Sequence, residues 1–230
     1  MYISLSAGAA HAQNPDELYA DRENLASARK AADLWGAELA KDPKNFEAAW
    51  KLSRIDYWLG EHAPAKERRA FLDRGITAAE QAIAAEPNKP EGHFWRAANM
   101  GTMAQEAGLR AGLKYRKPVK TELETVLRLD PSFMDGSADR VLGRWYFLVP
   151  GLFGGSNTQA EEHLKASLKY DPNSTVSHFF LAELLIDEGR KTEARAELQK
   201  VIDAPFNAEW APEDREYKDK ARALMPKTSR

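Results

Sequence analysis

The sequence predicts an all-α protein in which pairs of helices repeat and stack into a curved rod. Acid–proline pairs recur at intervals of 44, 44 and 41 residues, at Pro43, Pro87, Pro131 and Pro172. Between them, apolar residues follow three- and four-residue steps, and no segment alternates apolar and polar residues as a strand would. Each proline ends a helix, because it lacks an N–H group and clashes with the preceding turn. The acid–proline pairs therefore mark the repeat boundaries.

The composition is that of a globular domain with a substantial core. The chain has 230 residues, of which 43% are hydrophobic and 30% are charged. The formal net charge of −2 gives no long-range attraction to nucleic acid or to an anionic membrane, since these partners require clustered lysine and arginine. Because cysteine is absent, disulfides, thiolate metal sites and cysteine catalysis are excluded. No stretch reaches the roughly 20 apolar residues of a membrane span.

The last complete unit identifies the type of repeat. Counted from Thr175, the segment TVSHFFLAELLIDEGRKTEARAELQKVIDAP places Leu181 at position 7, Ala182 at 8, Ala194 at 20 and Leu198 at 24. This pattern resembles the tetratricopeptide repeat (TPR), a helix–turn–helix of about 34 residues. The small alanines allow two antiparallel helices to approach, and the larger residues fill the groove of the next helix. We therefore expect a TPR-like right-handed helical superhelix.

Additions to the repeat explain its long period. Three segments lengthen the units as inter-helix insertions: EHAPAKERRAFLD, AGLRAGLKYRKP and the glycine-rich PGLFGGSN. Residues 16–41 are predicted to form one leading helix. The C-terminal APEDREYKDKARALMPK predicts a capping helix, whose narrow apolar face (Tyr217, Ala221 and Leu224) covers the last repeat.

The N-terminus carries a pattern typical of exported proteins. Small residues lead to Ala10-His11-Ala12, an A-x-A site of the kind that signal peptidase cuts. We therefore expect residues 1–13 to be the remnant of a signal peptide, with the A-x-A site ending at residue 12. The remaining residues, 14–230, are expected to form a single TPR-like domain, exported and soluble in the periplasm.

Residue patterns for catalysis, metals and cofactors are weak. His93 and His178 both fall at the fourth position of a first helix and are expected to be structural. His163 lacks the i, i+4 partner of a zinc-binding helix. Ser156 stands in GGSNT instead of the G-x-S-x-G of a nucleophile elbow, so a helix-capping role for Ser156 or Thr158 is preferred. The sequence thus predicts no enzyme, no metal and no cofactor.

A glycine-rich loop separates the two helices of one repeat. It contains Pro150, Leu152, Phe153, Gly154 and Gly155, but it lacks the lysine of a phosphate-binding loop. Proline breaks the first helix, and the glycines permit backbone angles that other residues resist. The apolar residues of the loop are expected either to tuck over the groove or to pack against a neighbouring subunit.

The TPR resemblance also implies which residues face the concave groove. In that repeat, positions 5, 9, 12 and 13 of each first helix point into the groove. The candidate groove residues at these positions are Trp50, Arg54, Tyr57, Trp58, Phe94, Arg140, Arg144, Phe147, Phe179 and Glu183. This mostly apolar wall with a few arginines suits an apolar ligand with an acidic head, or an acidic peptide. The alternative is that the insertions fill the groove and that these aromatics are core.

Three longer stretches resemble a particular family of TPR proteins. The segments GRWYFLVPGLFGGSNTQAEEHLKASLKYDP, HFFLAELLIDEGRKTEARAEL and DAPFNAEWAPEDREYKDKA resemble the TatT family, which is associated with tripartite ATP-independent periplasmic (TRAP) transporters. The resemblance runs from about residue 20 to the end. Its sharpest elements are the PG-x-x-GGS loop and the segment Trp210-Ala211-Pro212-Glu213. A looser resemblance, in WKLSR, HFWRA and LGRWY, is to the regulator of microtubule dynamics proteins.

The TatT resemblance implies a non-enzymatic periplasmic protein that works beside the substrate-binding protein of a TRAP-type transporter. It also implies a homo-oligomer with grooves or channels for apolar or organic-acid ligands. Some TatT proteins are lipid-anchored, whereas this chain has no cysteine, which implies a freely diffusing form. The alternative function is a general peptide-binding TPR adaptor in a cell-envelope complex.

Overall fold

The structure is a computed structural model that describes residues 14–108 and 112–229; the predicted signal remnant lies outside these ranges. Within the described residues the chain is all-α and has no strand. Its helices, in chain order, are α1 Pro15–Ala20, α2 Leu25–Lys41, α3 Phe46–His62, α4 Ala65–Ala85, α5 Pro90–Glu106, α6 Arg116–Leu129, α7 Phe133–Leu148, α8 Asn157–Ser167, α9 Thr175–Asp187, α10 Lys191–Asp203 and α11 Ala211–Leu224. Short 3-10 helices are Leu113–Tyr115, Gly151–Phe153 and Met225–Thr228.

The acid–proline pairs end helices as the sequence predicts. Asp42, Glu86 and Asp130 are the C-cap residues of α2, α4 and α6, and each leaves helical geometry directly before its proline. The fourth pair, at Asp171, follows the end of α8 after a short turn. Asparagine or serine side chains at several helix N-termini accept a backbone N–H, and Ser156 does so for Gln159 at 3.3 Å, which confirms its capping role.

Small residues set the close approach of paired helices. Helices α3 and α4, α5 and α6, α7 and α8, and α9 and α10 form the pairs. A Cβ atom built on Gly60 of α3 would lie 2.3 Å from the Leu72 side chain of α4, and one on Gly143 of α7 would lie 2.6 Å from Leu164 of α8. Because side chains are absent at these glycines, each helix pair packs more closely than larger residues would allow.

The core runs continuously along the rod. One cluster joins α1 to α4, a larger one joins α5 to α10, and a third joins α9, α10 and α11. Half-buried Trp50 packs against both of the first two clusters. In the third cluster, Ala221 of α11 is fully buried against Leu198 and Ala182, so the C-terminal helix covers the last repeat as predicted.

Two histidines hold the repeats together in the same way. His93 Nδ1 lies 2.5 Å from a Glu122 carboxylate oxygen, and its Nε2 lies 3.0 Å from the Pro87 carbonyl oxygen. His178 repeats both contacts, with Glu197 at 2.5 Å and the Pro172 carbonyl at 2.9 Å. Each ring therefore ties a first helix to its second helix and to the preceding proline turn, which is the structural role expected from the sequence.

The structure differs from the predicted helix boundaries in two places. Residues 16–41 are not one helix, because the chain turns between α1 and α2, where Asn24 accepts the Ala26 N–H at 3.0 Å and begins a new helix. The segment EHAPAKERRAFLD, predicted as an insertion between the helices, is itself mostly helical. Only two residues separate α3 from α4, and most of the segment lengthens α4 to 21 residues.

A left-handed turn begins α7. Met134, Asp135 and Gly136 have φ values of 45°, 56° and 73°, so right-handed geometry starts only after them. A Cβ on Gly136 would meet the Tyr170 ring at 2.7 Å, which explains the glycine. Non-glycine residues in this conformation cost about 1–2 kcal/mol each. This local strain lies beside the concave side described below.

Replacing Leu198 by alanine tests the packing of the last repeat. Leu198 is 0% exposed and lies among α9, α10 and α11. We expect Leu198→Ala to lower the free energy of unfolding by about 2–5 kcal/mol, because the lost side chain leaves a cavity. Leu152→Ala is the matched control: Leu152 is 90% exposed, and its truncation should cost less than about 0.5 kcal/mol. Chemical denaturation of both variants measures these values, and equal losses would contradict the packing.

Candidate functional site

The concave side of the rod forms a partly open cavity of about 1040 Å³. Its walls come from the first helices of successive repeats, α3, α5, α7 and α9, and from the C-terminal helix α11. Aromatic side chains such as Phe94, Phe179 and Phe180 contribute apolar surface, while arginines and carboxylates contribute charge. The left-handed residues Met134 and Asp135 also face it. The described residues of the insertions leave this space open, although Trp58, Phe94 and Phe179 on its wall also belong to the buried core, as the alternative expected.

A buried ion pair closes the cavity on one side. Arg22, in the turn between α1 and α2, is only 1% exposed and makes a bidentate pair with Glu213 at the start of α11. Its Nη2 also donates to the Glu209 carbonyl oxygen at 3.1 Å. The rings of Tyr19 and Trp58 lie over the guanidinium, with centroids 4.5 and 5.2 Å from Cζ. The first and last parts of the chain are thereby joined.

Two further ion pairs strengthen this closure. Arg215 of α11 pairs with Glu23, the neighbour of Arg22, with Nε to Oε1 at 3.1 Å. At the end of α3, His62 Nε2 lies 3.2 Å from a Glu216 carboxylate oxygen of α11. The ring of His62 stacks on Trp58 with centroids 3.7 Å apart. We call the contacts of α11 with Arg22, Glu23 and His62 the clasp.

Most of the predicted groove residues line this cavity. The eight that do are Arg54, Tyr57, Trp58, Phe94, Arg140, Arg144, Phe179 and Glu183. Trp50 and Phe147 are outside its lining. Arg54 lies over the ring of Trp50 at 4.8 Å, and Arg144 lies over that of Phe147 at 5.7 Å, so each aromatic ring sits behind an arginine.

The glycine-rich loop does not cover the groove, so that alternative is wrong. None of Pro150, Leu152, Phe153, Gly154 and Gly155 lines the cavity. The Leu152 side chain is 90% exposed to solvent. Phe153 instead lies against the α6 side of the protein, under the guanidinium of Arg116. The other alternative, packing against a neighbouring subunit, stays a prediction.

Arg140 is the least compensated charge of the cavity. Its hydrogen-bond partner is the Ser174 hydroxyl, 3.4 Å from Nη1, and no carboxylate oxygen of the described residues lies within 4.0 Å of its side-chain nitrogens. Burial lowers the pKa of Arg140 below its usual value, although Tyr217 and Asp171 oppose the change. An arginine stays charged even so, because its ordinary pKa is above 12. A positive charge with spare donors thus faces the cavity.

The other two cavity arginines have partners. Arg144 donates to Glu183 at 2.7 Å. Arg54 lies over the Tyr19 ring at 3.7 Å and has a carboxylate oxygen of Asp16 at 3.7 Å. Burial lowers the pKa of Arg54, and its Nε has no hydrogen-bond partner in the described structure. These arginines are therefore less available to a ligand than Arg140, apart from that one N–H.

Two tyrosines supply uncharged donors. Burial raises the pKa of Tyr57 well above its ordinary value, and the negative charge of Glu61 adds to this effect. Burial also raises the pKa of Tyr217 on α11, again with Glu61 adding. Both hydroxyls therefore stay protonated at neutral pH; that of Tyr57 is hydrogen-bonded to the Glu61 carboxylate, whereas that of Tyr217 can donate a hydrogen bond into the cavity. Burial raises the pKa of Glu61 itself, while neighbouring His62 works against the change.

Sequence reasoning missed the contribution of α11 to the site. It predicted a helix that covers the last repeat, but Tyr217, Glu216 and Lys220 also line the cavity. Arg22 and Glu213 carry no local signal, because they are 191 residues apart in the chain. The sequence signal that could have indicated this role is the large number of charged residues on α11, which was predicted only to be a capping helix.

The site offers recognition groups in place of a metal centre. Among the residues that the structure describes, no group of three or more His, Cys, Asp or Glu side chains is arranged to hold a metal ion. His163, one of the histidines considered from the sequence, lies 2.7 Å from Asp139 and is stacked on Tyr146. The cavity presents three arginines, tyrosine hydroxyls and aromatic surface, together with carboxylates such as those of Glu61, Asp171 and Glu183.

Helix pairs that stack around a concave side define a TPR-type helical-repeat protein. A thermophilic TPR protein from Thermus thermophilus matches with a TM-score of 0.70 and 21% identity, over 93% of this chain and 98% of that chain. Two crystal structures of MamA match with TM-scores of 0.54 and 0.53, each at 16% identity; the matches cover 91% and 90% of this chain and 99% and 92% of those chains. At sequence identities this low, the similarity to these structures shows the fold alone.

A family model identifies the chain more closely. The model described as Regulator of microtubule dynamics protein 1-3 matches residues 12–229, and the chain belongs to this family. This is the looser of the two resemblances stated from the sequence; the resemblance to the TatT family stays a prediction. No curated protein matches the chain in sequence. In residues 14–108 and 112–229, no helix is both long and apolar enough to cross a bilayer.

The clasp should depend on pH through His62 and Glu216. Burial opposes the charge on His62, but its hydrogen bonds to Glu216 and to the Trp58 carbonyl outweigh this and raise its pKa. The hydrogen bond from His62 lowers the pKa of Glu216 to about 2. The histidine contribution is therefore complete below about pH 6.5 and lost as the pH rises through the raised value. The glutamate contribution is present above about pH 4.5 and lost towards pH 2.

We therefore expect the clasp to be strongest between about pH 4.5 and 6.5. His62→Gln should destabilise the protein by about 0.5–1 kcal/mol at pH 5.5, because the pair is partly exposed, and by less at pH 8.5. Thermal unfolding of both proteins at the two pH values measures this. Glu216→Gln should remove the same pH dependence. A His62→Gln effect of equal size at both pH values would contradict the pairing.

Proposed function

We propose that this protein is a non-enzymatic TPR-type binding protein whose concave cavity holds an apolar organic acid. The observation that carries the proposal is Arg140, a cation on the cavity wall whose hydrogen-bond partner is a hydroxyl and which has no carboxylate oxygen of the described residues within 4.0 Å. Leaving a charge partly desolvated and unpaired is costly, and a bound carboxylate or phosphate would remove that cost. The positive charge therefore favours an anionic ligand.

The surroundings of Arg140 fit the two parts of such a ligand. The protonated hydroxyl of Tyr217 can donate to the same acidic head. Phe94 and Phe179 are mostly buried aromatics on the neighbouring first helices and offer apolar contact to a tail. Pockets for small ligands combine a mostly apolar wall with a few convergent polar groups in this way.

The size and closure of the cavity favour a small molecule over a peptide. Its volume of about 1040 Å³ is at the upper end of the range for small-molecule sites, which is roughly 300–1000 Å³. An extended peptide requires a groove that is open along its length, and the clasp between Arg22 and Glu213 interrupts the concave side. This observation ranks the ligand-binding function above the peptide-adaptor function.

The cellular setting is a further part of the proposal. The A-x-A site and the TatT resemblance support a periplasmic protein that associates with the substrate-binding protein of a TRAP-type transporter and hands it the ligand, as a monomer or a homo-oligomer. The family name attaches regulation of microtubule dynamics to its members. A cytoskeletal role here would rest on that name alone, since no residue of the cavity supports it.

The second candidate function is a peptide or protein adaptor. It is supported by the TPR-type fold, which uses helix faces to bind partners in many proteins. It would require the clasp to open, so that α11 moves away from Arg22. Recovery of diverse peptides with the protein, and of no retained small molecule, would favour this function.

Matched ligands with and without a carboxylate test the proposal. We expect the protein to bind dodecanoate more tightly than dodecanol, because the two have the same tail and only the acid can pair with Arg140. Arg140→Leu should weaken dodecanoate binding about tenfold or more, which corresponds to the loss of a charge-assisted hydrogen bond, and should leave dodecanol binding unchanged. Isothermal titration calorimetry measures both affinities.

The control variant is Arg69→Leu, an arginine on the outer face of α4 with a side chain that is 79% exposed. It makes the same change of charge away from the cavity and should not alter either affinity. Equal binding of dodecanoate by the wild-type protein and by Arg140→Leu would refute the proposed head-group contact. Failure of the wild-type protein to bind either compound would refute the apolar-acid function.

A further inference from the structure

Two loops meet on the side of the rod where the helices of each pair are joined, opposite the acid–proline turns, and form a surface that the cavity does not use. The first is the α5–α6 connection with Lys114, Arg116 and Lys117, and the second is the glycine-rich loop with Leu152. Arg116 joins them: its Nη1 donates to the Phe153 carbonyl oxygen at 3.2 Å, and its guanidinium lies over the Phe153 ring at 5.4 Å. We call this surface the basic tip; it comprises Lys114, Arg116, Lys117, Leu148 and Leu152.

The basic tip is held in shape by backbone contacts. The Trp145 indole donates to the Arg116 carbonyl oxygen at 3.1 Å. The Ser156 N–H donates to the Tyr146 carbonyl oxygen at 2.9 Å, which folds the glycine-rich loop back onto α7. A Cβ on Gly155 would lie 1.6 Å from the Val149 carbonyl oxygen, so only glycine allows this close return. Leu152 therefore projects from a braced turn.

All the charged residues of the basic tip are positive. Residues 107–121 and 141–160 contain no aspartate or glutamate, although the whole chain has 35 acidic residues. Lys114 and Lys117 are exposed, and neither is in an ion pair with a described residue. The opposite ends of the helices carry the acid–proline pairs. The net charge of −2 gives no attraction to an anionic surface by itself. The basic tip is nevertheless a local cluster of positive charge on this chain.

The apolar part of the tip is small and convex. Leu152 is 90% exposed and Leu148 is 43% exposed, and they are two of the four large apolar side chains that are exposed in the described residues. A stable protein interface buries about 800 Å² on each partner, which a two-leucine projection does not approach. A bilayer, in contrast, accepts a projecting apolar tip into its interface while lysines contact the headgroups.

We propose that the basic tip docks the protein on the surface of an anionic lipid bilayer, with Leu152 inserted at the headgroup level. Lysine and arginine beside the tip supply the attraction to acidic headgroups. A second copy of the chain is a poorer occupant, because a symmetric contact through this tip would place Lys114, Arg116 and Lys117 against their own copies. The proposal is independent of the ligand of the cavity.

Vesicle co-sedimentation of the full chain tests the docking. Vesicles of phosphatidylcholine mixed with an equal amount of phosphatidylglycerol should bind the protein, and pure phosphatidylcholine vesicles should bind it much less. Leu152→Ser should weaken binding to the mixed vesicles severalfold, and the double variant Lys114→Glu, Lys117→Glu about tenfold or more, because two attractive charges become repulsive. Added salt should weaken wild-type binding.

Two control variants make the same kinds of substitution at exposed positions outside the basic tip. Tyr170→Ser removes a half-exposed apolar side chain near an acid–proline turn, and Lys41→Glu, Lys44→Glu reverses two exposed lysines at the same spacing. Both should bind the mixed vesicles as the wild type does. All variants should keep the helical circular-dichroism spectrum, since the changed residues are exposed.

Three results would overturn the proposal. The first is no binding of the wild-type protein to the mixed vesicles, and the second is equal binding to both vesicle types. The third is wild-type oligomers by native mass spectrometry that Leu152→Ser converts to monomers without a change in vesicle binding. That last result would assign the tip to contact between subunits.

Discussion

The ion pair between Arg22 and Glu213 determines that the concave side of this protein is a cavity and not an open groove. It joins the first turn of the chain to the last helix, and aromatic rings of Tyr19 and Trp58 cover it. A buried pair of this kind adds little net stability, since desolvation offsets the attraction. Removing one partner is nonetheless costly, at about 3–5 kcal/mol, because the other charge stays buried. The pair therefore fixes the position of α11 against the turn that carries Arg22, while it adds little to the free energy of unfolding.

Closure changes the electrostatics of everything inside it. Once α11 lies across the concave side, Arg140, Tyr57 and Tyr217 are buried on the wall of the same cavity, and burial is the largest cause of the pKa shift in each. In an open groove, water would solvate Arg140 and weaken any preference for an anion. The selectivity proposed for the cavity thus follows from the clasp as well as from the residues on its wall.

The sequence predicted the structural features that depend only on residues close together within a repeat. Proline turns, small residues such as Ala182 and Ala194, and the buried Leu198 follow from periodicity, and eight of ten groove residues line the cavity because they keep the repeat register. Trp50 and Phe147 do not, because an arginine one turn away covers each ring. The clasp could not be predicted from the sequence, because Arg22 and Glu213 come together only in the folded, curved rod. The helical form of EHAPAKERRAFLD was missed because Pro64 reads as a break, although here it precedes a helix start.

The internal constraints of the repeat also explain where binding surfaces can lie. One end of each helix pair is occupied by the proline turns, where His93 and His178 bond to the Pro87 and Pro172 carbonyls. The faces between helices are packed, whereas the outer face carries exposed side chains such as Arg69. The concave wall and the opposite turns can differ between repeats, and two features without a packing role occur there: Arg140 on the wall, with no carboxylate oxygen of the described residues within 4.0 Å, and the glycine-rich loop that exposes Leu152. Because neither feature is required by helix packing, each calls for an explanation in terms of a bound partner.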